Sequence, residues 1–373
     1  MFKNLPAKDL LKGKKVLLRA DFNVPIANQK VSGANRIVES LGTLKYLISA
    51  GARVILISHL GRPKNYGDPE SSLRPVYDFL KNKLDKIYFS EEIFGDITDE
   101  IIKNLANGEV VLLENLRWDA GEESGSLEFA KKLASLADIY VNDAFAVSHR
   151  DHASVSIICR FLPHFAGFLL EKEVTGLQKL AQNTLSPFVL VLGGAKIADK
   201  ILVINNLAPH VSKILIGGAM ANTFLAASGA NVSNSLFEPE VLKTAKEYLD
   251  RYQDKIVLPQ DNVKKEGEDG FSYMDIGRQT INNYKKIISE AKTIFWNGNM
   301  GYSEDQKYAL GTEEIARAIS NSSAESYVAG GDTVGAIEKM KIKDKFSFVS
   351  TGGGAALEFL AGKKLPGIKA LED

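Results

Sequence analysis

Cysteine is nearly absent from this sequence, since Cys159 is the single one among 373 residues. One thiol cannot form a disulfide within the chain, and no set of cysteine and histidine has the spacing of a zinc site. No apolar run approaches the roughly 18 residues that a membrane-spanning helix needs. The first residues also lack the apolar core of a signal peptide. These absences predict a cytoplasmic protein that does not bind a membrane.

Neither sign of charge is in excess, because 46 lysines and arginines balance 46 aspartates and glutamates. Proteins that bind nucleic acid usually carry a basic surface, so we expect no nucleic-acid partner. Any site for an anion must be a local cluster of basic residues. The Walker A pattern G-x-x-x-x-G-K-[ST] is missing, as is a Ser-His-Asp or Cys-His set for covalent catalysis. At this length the chain suits two domains better than one.

Apolar strand-like runs alternate with amphipathic helical segments from end to end. In the first half, strands are predicted near residues 16–20, 53–58, 109–113 and 139–142. In the second half, they are predicted near residues 188–192, 213–216, 256–258, 293–296, 327–329 and 346–350. The alternation predicts an α/β fold with two mostly parallel sheets, helices on both faces of each, and one helix joining the halves. Ligands of such sheets bind at the carboxyl ends of the strands.

The predicted strand ends of the first half carry basic residues. The first strand leads to Arg19, Asp21 and Asn23, and the second ends with a histidine and an arginine flanking a glycine. With the arginines that follow, the candidate residues are Arg36, His59, Gly61, Arg62, Arg117 and Arg150. Guanidinium groups pair bidentately with phosphate or carboxylate, so these side chains could converge on one small polyanion. The alternative is a set of unrelated surface salt bridges.

The predicted strand ends of the second half are rich in glycine instead. Gly193-Gly194 follows a buried strand, and Lys196 and Lys200 come next at a spacing that puts both on one face of a helix. A glycine turn before a helix lets backbone N–H groups hold phosphate, although an ordinary turn explains the same pattern. Asp332 suits Mg²⁺ or a plain helix N-cap. Glu304 suits ribose hydroxyls or is an ordinary surface carboxylate.

The motifs resemble those of the phosphoglycerate kinase family over essentially the whole chain, and in the same order. The matching segments are Leu18-Arg-Ala-Asp-Phe-Asn-Val-Pro25, Ser58-His-Leu-Gly-Arg-Pro63, Glu114-Asn-Leu-Arg117, Val141-Asn-Asp-Ala-Phe145, Gly193-Gly-Ala-Lys-Ile-Ala-Asp-Lys200, Gly330-Gly-Asp-Thr333 and Ser350-Thr-Gly-Gly-Gly-Ala355. The resemblance implies two Rossmann-like domains, at residues 1–169 and 186–354. A helix and linker at residues 170–185 would join them, and residues 355–373 would pack back on the first domain.

The resemblance also implies the site residues. The first domain would bind 3-phosphoglycerate through Asp21, Phe22, Asn23, Arg36, His59, Leu60, Gly61, Arg62, Arg117 and Arg150. The second would bind ATP or ADP through Lys196, Lys200, Glu304, Gly330, Gly331, Asp332 and Thr333, with Asp332 near a Mg²⁺ ion. The catalytic residues would be Arg36, Lys196 and Gly353.

The implied reaction is reversible, Mg²⁺-dependent phosphoryl transfer between ATP and the carboxylate of 3-phosphoglycerate, giving ADP and 1,3-bisphosphoglycerate. A carboxylate is already a nucleophile, so neither a general base nor a covalent intermediate is required. Catalysis would come from domain closure and charge stabilisation, and we expect a monomer. The alternative within the family is an inactive relative that only binds anions and nucleotides.

Two rival classes fit the sequence less well. A nicotinamide dehydrogenase needs G-x-G-x-x-G after a first strand, and Gly193-Gly194 does not supply it. A periplasmic-type anion-binding protein is disfavoured by the missing signal peptide and by the presence of two distinct sites.

The sequence departs from the family pattern mainly in the nucleotide half. Asn299 stands where proline is usual, and Tyr302-Ser303 precedes Glu304 in place of an aliphatic residue and phenylalanine. Further departures are Arg278, Ala356 and Trp118-Asp119. Because all but the last lie in the second half, they bear on nucleotide affinity and not on the class of reaction.

Overall fold

The computed structural model describes residues 2–372 and, at Asp199, the backbone alone. The chain divides into two compact units, the first made of Met1–Thr175 with Lys364–Asp373 and the second of Gly176–Lys363. The domain boundaries inferred from the sequence stay a prediction. No helix among the described residues is long and apolar enough to cross a membrane.

The first unit is built on a parallel sheet with the strand order β5-β6-β4-β1-β7-β8. Its strands, with a separate antiparallel pair of β2 and β3, are β1 (Lys15–Arg19), β2 (Ile26–Ala27), β3 (Lys30–Val31), β4 (Arg53–Ile57), β5 (Ile87–Phe89), β6 (Val110–Leu112), β7 (Ile139–Asn142) and β8 (His164–Ala166). Val16 of the central strand pairs with Val54 on one side and Ile139 on the other. Its apolar side chains are fully buried on both faces, as expected of a parallel sheet covered by helices.

Helices follow most strands of the first unit. They are α1 (Lys8–Leu11), α2 (Asn35–Ser49), α3 (Arg74–Lys81), α4 (Asp96–Asn104), α5 (Ala120–Glu123), α6 (Leu127–Ala134) and α7 (Phe168–Gln182). The last of these carries the chain from the residues of the first unit into those of the second. The core of this unit runs from Leu11 through the inner strands to Leu44 and Leu47 of α2.

The second unit repeats the plan, with the strand order β11-β10-β9-β14-β15-β16 in a parallel sheet. Its strands are β9 (Phe188–Leu192), β10 (Lys213–Ile216), β11 (Ile256–Val257), β12 (Asn262–Gly267), β13 (Gly270–Ile276), β14 (Thr293–Asn297), β15 (Glu325–Ala329) and β16 (Phe348–Val349). The pair β12 and β13 forms an antiparallel hairpin of its own. The core includes Trp296 of β14, which is fully buried.

Helices of the second unit follow the same alternation. They are α8 (Ala198–Leu207), α9 (Gly218–Ala227), α10 (Leu242–Arg251), α11 (Arg278–Glu290), α12 (Leu310–Ser320), α13 (Gly331–Lys339) and α14 (Gly354–Leu360). The chain then returns to the first unit, where α15 (Pro366–Glu372) buries Ile368 and Leu371. The backbone N–H of Gly367 in this helix donates to the carbonyl of Ser148 at 2.8 Å.

The predicted α/β class with two parallel sheets is confirmed. The long buried strands were predicted within a few residues. Strands β5 and β8, the short pair of β2 and β3, and the hairpin of β12 and β13 were missed. The first two are only three residues long, too short for a hydrophobic period to stand out. The hairpin carries exposed Lys264, Lys265 and Glu266, so it lacks the apolar run that marked the other strands.

Candidate active site

In the first unit, the loop after β1 is held against the end of β4 by hydrogen bonds. The backbone N–H of Phe22 donates to Ser58 Oγ at 2.9 Å, and that hydroxyl donates to the carbonyl of Ala20 at 2.8 Å. Neighbouring parallel strands end at the same edge of the sheet. The polar residues after β1 and β4 are thereby brought together, as the sequence predicted.

Asp21 and Asn23 orient Arg36 at the start of α2. Asp21 is buried, and its Oδ2 lies 3.0 Å from Arg36 Nη1, while its Oδ1 accepts the N–H of Asn23 at 3.0 Å. Arg36 Nη1 also donates to the carbonyl of Asn23 at 3.0 Å. The Arg36 side chain is 31% exposed. Its position is therefore fixed by the protein while part of its guanidinium remains open to a ligand.

The loop from His59 to Arg62 turns at Gly61, whose φ of +62° favours glycine. Its N–H donates to Asn23 Oδ1 at 2.9 Å, and its carbonyl accepts from Arg117 Nη1 at 2.7 Å. Asn115 holds the same loop from the other side, because its side chain bonds both the N–H and the carbonyl of Leu60. The turn thus couples the ends of three strands.

His59 is nearly fully buried at the centre of this cluster. Its Nδ1 lies 3.1 Å from Arg19 Nη2 and 3.9 Å from Asp21 Oδ1. Burial lowers the pKa of His59 well below its usual value, and the positive charges of Arg19, Arg117 and Arg36 lower it further. His59 is therefore neutral at physiological pH.

The remaining arginines of the first unit differ in their surroundings. Arg117 is half-buried, with its Nε 3.1 Å from Glu123 Oε1, and burial lowers the pKa of its guanidinium. The side chains of Arg62 and Arg150 are exposed. Arg150 still acts on the cluster electrostatically, because its charge contributes to lowering the pKa of His152. The described contacts link Asp21, Asn23, Arg36, His59, Gly61 and Arg117. Arg62 and Arg150 are the exposed arginines among the predicted site residues.

In the second unit, backbone hydrogen bonds hold the strand ends together, whereas side chains hold them together in the first unit. The N–H groups of Gly193 and Gly194 after β9 donate to the carbonyls of Asn297 and Asn299 after β14, at 2.9 and 2.8 Å. The N–H of Gly218 donates to the carbonyl of Met300 at 2.7 Å. A Cβ on Gly193 would lie 2.2 Å from the carbonyl oxygen of Asn299. These turns pack so closely that a side chain has no room.

A hollow of about 390 Å³ opens beside these turns. It is lined by backbone of Gly194 and Gly218, by the apolar side chains of Leu236 and Met300, and by Tyr302, Glu304 and Asp332. A second hollow of about 430 Å³ adjoins it and shares Asn299, Glu304 and Asp332. Apolar walls with a few polar groups and exposed glycine backbone are typical of a nucleotide site.

The two lysines after Gly194 are not on one helix face. Helix α8 begins only at Ala198, so Lys196 lies in the irregular segment before it, and the prediction that the two lysines share a helix face is wrong. The turn at Gly193 and Gly194 is followed by three non-helical residues before the helix starts. Lys196 is exposed, whereas Lys200 is buried with its Nζ donating to the carbonyl of Lys196 at 3.1 Å.

The other predicted nucleotide contacts lie at helix starts. Gly330, with a φ of +99°, precedes α13, and Thr333 Oγ1 accepts the N–H of Gly298 at 2.7 Å. Asp332 is exposed in the first turn of α13. Gly353 precedes α14. Asn299 is largely buried and its amide nitrogen donates to Ser303 Oγ, so two of the departures from the family pattern pair with each other.

Among the described side chains, those of residues 2–198 and 200–372, no three histidines, cysteines, aspartates or glutamates form a cluster that could hold a metal ion. Magnesium commonly uses one or two carboxylates, with phosphate and water completing its shell. The exposed Asp332 in the lining of both hollows fits that mode of binding.

Comparison with known proteins places the chain among its relatives. A family model described as phosphoglycerate kinase matches residues 7–363. The phosphoglycerate kinase of Thermosipho africanus is 48% identical, over 97% of this chain and 96% of the relative. The chain belongs to the phosphoglycerate kinase family. The phosphoglycerate kinase of Leptospira biflexa is 44% identical over the same shares of the two chains.

Solved structures of phosphoglycerate kinases agree with this fold. The enzyme from Coxiella burnetii matches with a TM-score of 0.85 and 38% identity, covering 97% of each chain. The enzyme from Pyrococcus horikoshii matches with a TM-score of 0.89 and 33% identity, covering 100% of this chain and 98% of the other. The predicted phosphoglycerate kinase function and kinase class are confirmed, and the inactive relative is not favoured.

Three buried polar residues of the first unit were not among the residues singled out from the sequence. Glu122, His152 and Ser154 are buried next to Arg19 and Arg117. In the sequence they read as an ordinary helical glutamate and loop residues. The position of Glu122 five residues after Arg117 carried no signal, because burial of a single carboxylate follows from tertiary packing.

Proposed function

We propose that the cationic edge of the first unit binds 3-phosphoglycerate and that the glycine-rich edge of the second binds ATP or ADP. The reaction is reversible phosphoryl transfer between ATP and the substrate carboxylate. The observation that carries the proposal is the fixed cluster around Asp21, in which Arg36, His59 and Arg117 lie within one connected set of contacts.

On the acceptor side, the proposed contacts divide by burial. Buried Asp21 and Phe22 and the amides of Leu60 and Gly61 shape the site. The donors to 3-phosphoglycerate are Asn23, Arg36, His59, Arg62, Arg117 and Arg150. A neutral His59 donates one hydrogen bond without adding charge, whereas each guanidinium forms a charge-assisted pair worth roughly 1.5–3 kcal/mol. The exposed Arg62 and Arg150 are free to follow the substrate phosphate.

On the nucleotide side, the proposed contacts are Lys200, Glu304 and the turn from Gly330 to Thr333. Glu304 accepts from ribose hydroxyls, and the backbone N–H groups at the start of α13 face phosphate oxygens. Mg²⁺, when bound, neutralises part of the phosphate charge, and Asp332 is the residue that would hold it.

For the transfer step we assign charge stabilisation to Arg36, Lys196 and the amide at Gly353. The attacking carboxylate needs no base, so positioning and electrostatics supply the catalysis. Lys196 is exposed and is therefore accessible to the phosphoryl group. Domain closure, a monomeric state and a cytoplasmic location belong to the proposal as expectations.

The decisive assay measures ADP formation from ATP with and without 3-phosphoglycerate, with 1,3-bisphosphoglycerate removed by a coupling reaction. We expect ADP formation only when 3-phosphoglycerate is present. ADP formation that is independent of 3-phosphoglycerate would overturn the substrate assignment. Repeating the assay with a metal chelator and then with added Mg²⁺ tests the metal requirement.

Two variants test the residue assignments. Arg36→Met is expected to lower kcat at least about a hundredfold with little change in nucleotide affinity. Lys200→Ala is expected to weaken nucleotide binding more than 3-phosphoglycerate binding, as measured by calorimetry. Near-normal turnover of the first variant, or the reverse order of affinities in the second, contradicts the corresponding role.

A further inference from the structure

A buried row of polar contacts runs behind His59 and ends at a carboxylate. Arg19 Nη2 lies 3.1 Å from His59 Nδ1, and Arg19 Nε donates to Ser154 Oγ at 2.9 Å. The Ser154 hydroxyl donates to Glu122 Oε1 at 2.6 Å. All four side chains are at most 2% exposed. The row connects α5 and the loop after β7 with the ends of β1 and β4.

The direction of each hydrogen bond in this row follows from donor chemistry. A guanidinium only donates, so both His59 Nδ1 and Ser154 Oγ accept from Arg19. The Ser154 hydroxyl then has its own hydrogen left for Glu122, which accepts it. Because Nδ1 of His59 is an acceptor, the single proton of the neutral imidazole must sit on Nε2. The tautomer is thus set by Arg19.

Glu122 supplies the charge that makes a buried Arg19 tolerable. Its second oxygen, Oε2, accepts the backbone N–H of Ser154 at 2.9 Å. Burial raises the pKa of Glu122, while the charges of Arg19 and Arg117 and the bonds from Ser154 oppose that rise. Tyr140 closes the arrangement, since its hydroxyl donates to the carbonyl of Ser154 at 2.6 Å. A charge pair of this kind is costly to break from one side.

We propose that Glu122 and Ser154 are positioning residues for 3-phosphoglycerate: through Arg19 they hold His59 as the tautomer protonated on Nε2, which donates to a substrate oxygen. This inference rests on the proposed binding of 3-phosphoglycerate in the first unit. Neither Glu122 nor Ser154 touches the substrate in this scheme. Their effect is to fix which imidazole nitrogen carries the donor.

The charged and titratable groups that face His59 come from several elements of the first unit. They are Arg19, Asp21, Arg36, Arg117 and His152. Three of them are arginines, and their positive charges oppose protonation of His59 Nδ1. Burial and these arginines lower the pKa of His59, so the imidazole is neutral and carries one proton at physiological pH.

The first test is the tautomer itself, measured on the unmodified protein by long-range ¹H–¹⁵N NMR of the imidazoles. The chain has only five histidines, and a His59→Asn variant identifies the signals of this one. We expect a proton on Nε2 at neutral pH, and we expect the second protonation of the ring to occur at a lower pH than in free histidine. A proton on Nδ1, or a doubly protonated ring at pH 6, overturns the proposal without any further variant.

The second test uses Ser154→Ala, which removes the hydroxyl between Arg19 and Glu122. We expect the KM for 3-phosphoglycerate to rise about five- to tenfold, as for the loss of one or two hydrogen bonds, with kcat and the KM for ATP nearly unchanged. The His59 signals should show a mixture of tautomers. Ser154→Thr, which restores a hydroxyl, should recover most of the wild-type KM.

The matched control is Ser156→Ala, two residues away in the same loop. Ser156 is also buried, but its hydroxyl bonds Asp151 and lies outside the row. We expect its KM for 3-phosphoglycerate and its His59 signals to stay at wild-type values. If both alanine variants raise this KM equally, the effect is general loosening of the loop and the proposal fails. If ADP formation never depends on 3-phosphoglycerate, the proposed function fails instead.

Discussion

The two units present equivalent edges of similar sheets, but the contacts at these edges come from side chains in one unit and from the backbone in the other. In the first unit, charged side chains are paired: Asp21 with Arg36, and Arg117 with Glu123 and the carbonyl of Gly61. In the second, main-chain groups meet: Gly193, Gly194 and Gly218 donate to carbonyls after β14. One edge is organised by electrostatics and the other by close approach of the backbone.

This difference predicts different kinds of sensitivity. A site of buried, paired charges is destabilised when one partner is removed, because the other charge is left unpaired in the protein interior. A site of packed backbone fails when any atom is added, because there is no space to receive it. The following substitutions test that contrast in order of decreasing expected effect.

Gly298→Ala should have the largest effect. Gly298 has a φ of +94°, and a Cβ there would lie 2.2 Å from the carbonyl oxygen of Gly193. Backbone strain and overpacking each cost about 1–3 kcal/mol, so we expect the second unit to lose several kcal/mol of stability along with its nucleotide affinity. Urea unfolding with and without ADP measures both. If this variant unfolds at the same urea concentration as the wild type, the turns of the second unit can accept an added side-chain atom and the contrast is wrong.

Asp21→Ala tests the charged edge in the opposite way, by removal. It leaves Arg36 without its ion pair and frees the N–H of Asn23, so Arg36 is no longer oriented. We expect the KM for 3-phosphoglycerate to rise about ten- to a hundredfold while the KM for ATP changes little. Asp21→Asn keeps an acceptor for Asn23 and should fall between wild type and alanine. An equal change in both KM values would contradict the proposed difference between the two units.

His152 should make the stability of the first unit depend on pH, and the direction of the change can be worked out. Burial and nearby arginines lower the pKa of His152 from 6.5 to about 4. Between these values the unfolded chain binds a proton that the native state does not, so native stability falls as the pH drops from about 6.5 to about 4. The slope is at most about 1.4 kcal/mol per pH unit. His152→Gln should flatten the dependence in chemical unfolding at several pH values, and an unchanged slope would contradict it.

Asp275 in the second unit should make native stability change with pH in the opposite direction. Burial raises the pKa of its carboxyl from 3.8 to about 6, although it accepts the N–H groups of Gly311 and Ile276. Between these values the native state binds the extra proton, so stability falls as the pH rises from about 4 to about 6. Asp275→Asn cannot ionise, so it should remove this part of the slope. The difference between variant and wild type across that range is the measurement, and a constant difference would rule out Asp275.

Gly335→Ala should have the smallest effect and a favourable one. Gly335 lies in α13 with nothing within 4 Å of an added Cβ. Alanine there should stabilise the second unit by about 0.4–1 kcal/mol. The variant is also the control for Gly298→Ala, because it adds the same atom at a glycine that has space. A destabilising result would indicate that glycine is required in this unit for a reason other than close approach.

The sequence predicted the fold class and the residues at the strand ends, because both follow from local patterns. Buried strands such as Phe188–Leu192 are continuous apolar runs, and the motifs that follow them are short. The prediction that Lys196 and Lys200 share one helix face was wrong, since the helix begins only at Ala198 and a helix start after a glycine turn depends on how that turn packs. The roles of Glu122, Ser154 and His152 could not be read from the sequence, because they arise where α5 and the loop after β7 meet Arg19 in three dimensions. The predicted contacts to substrates stay predictions.

The return of the chain to the first unit through α15 has a consequence for how the protein forms during synthesis. All residues of the second unit, Gly176–Lys363, have left the ribosome before the first unit receives Lys364 and the residues after it. Helix α15 then buries Leu371 and fastens Gly367 to the backbone of Ser148, in the loop next to Arg150. The half of the enzyme that is translated first is therefore the last to be completed, because its fold includes residues that are made after the whole of the second unit.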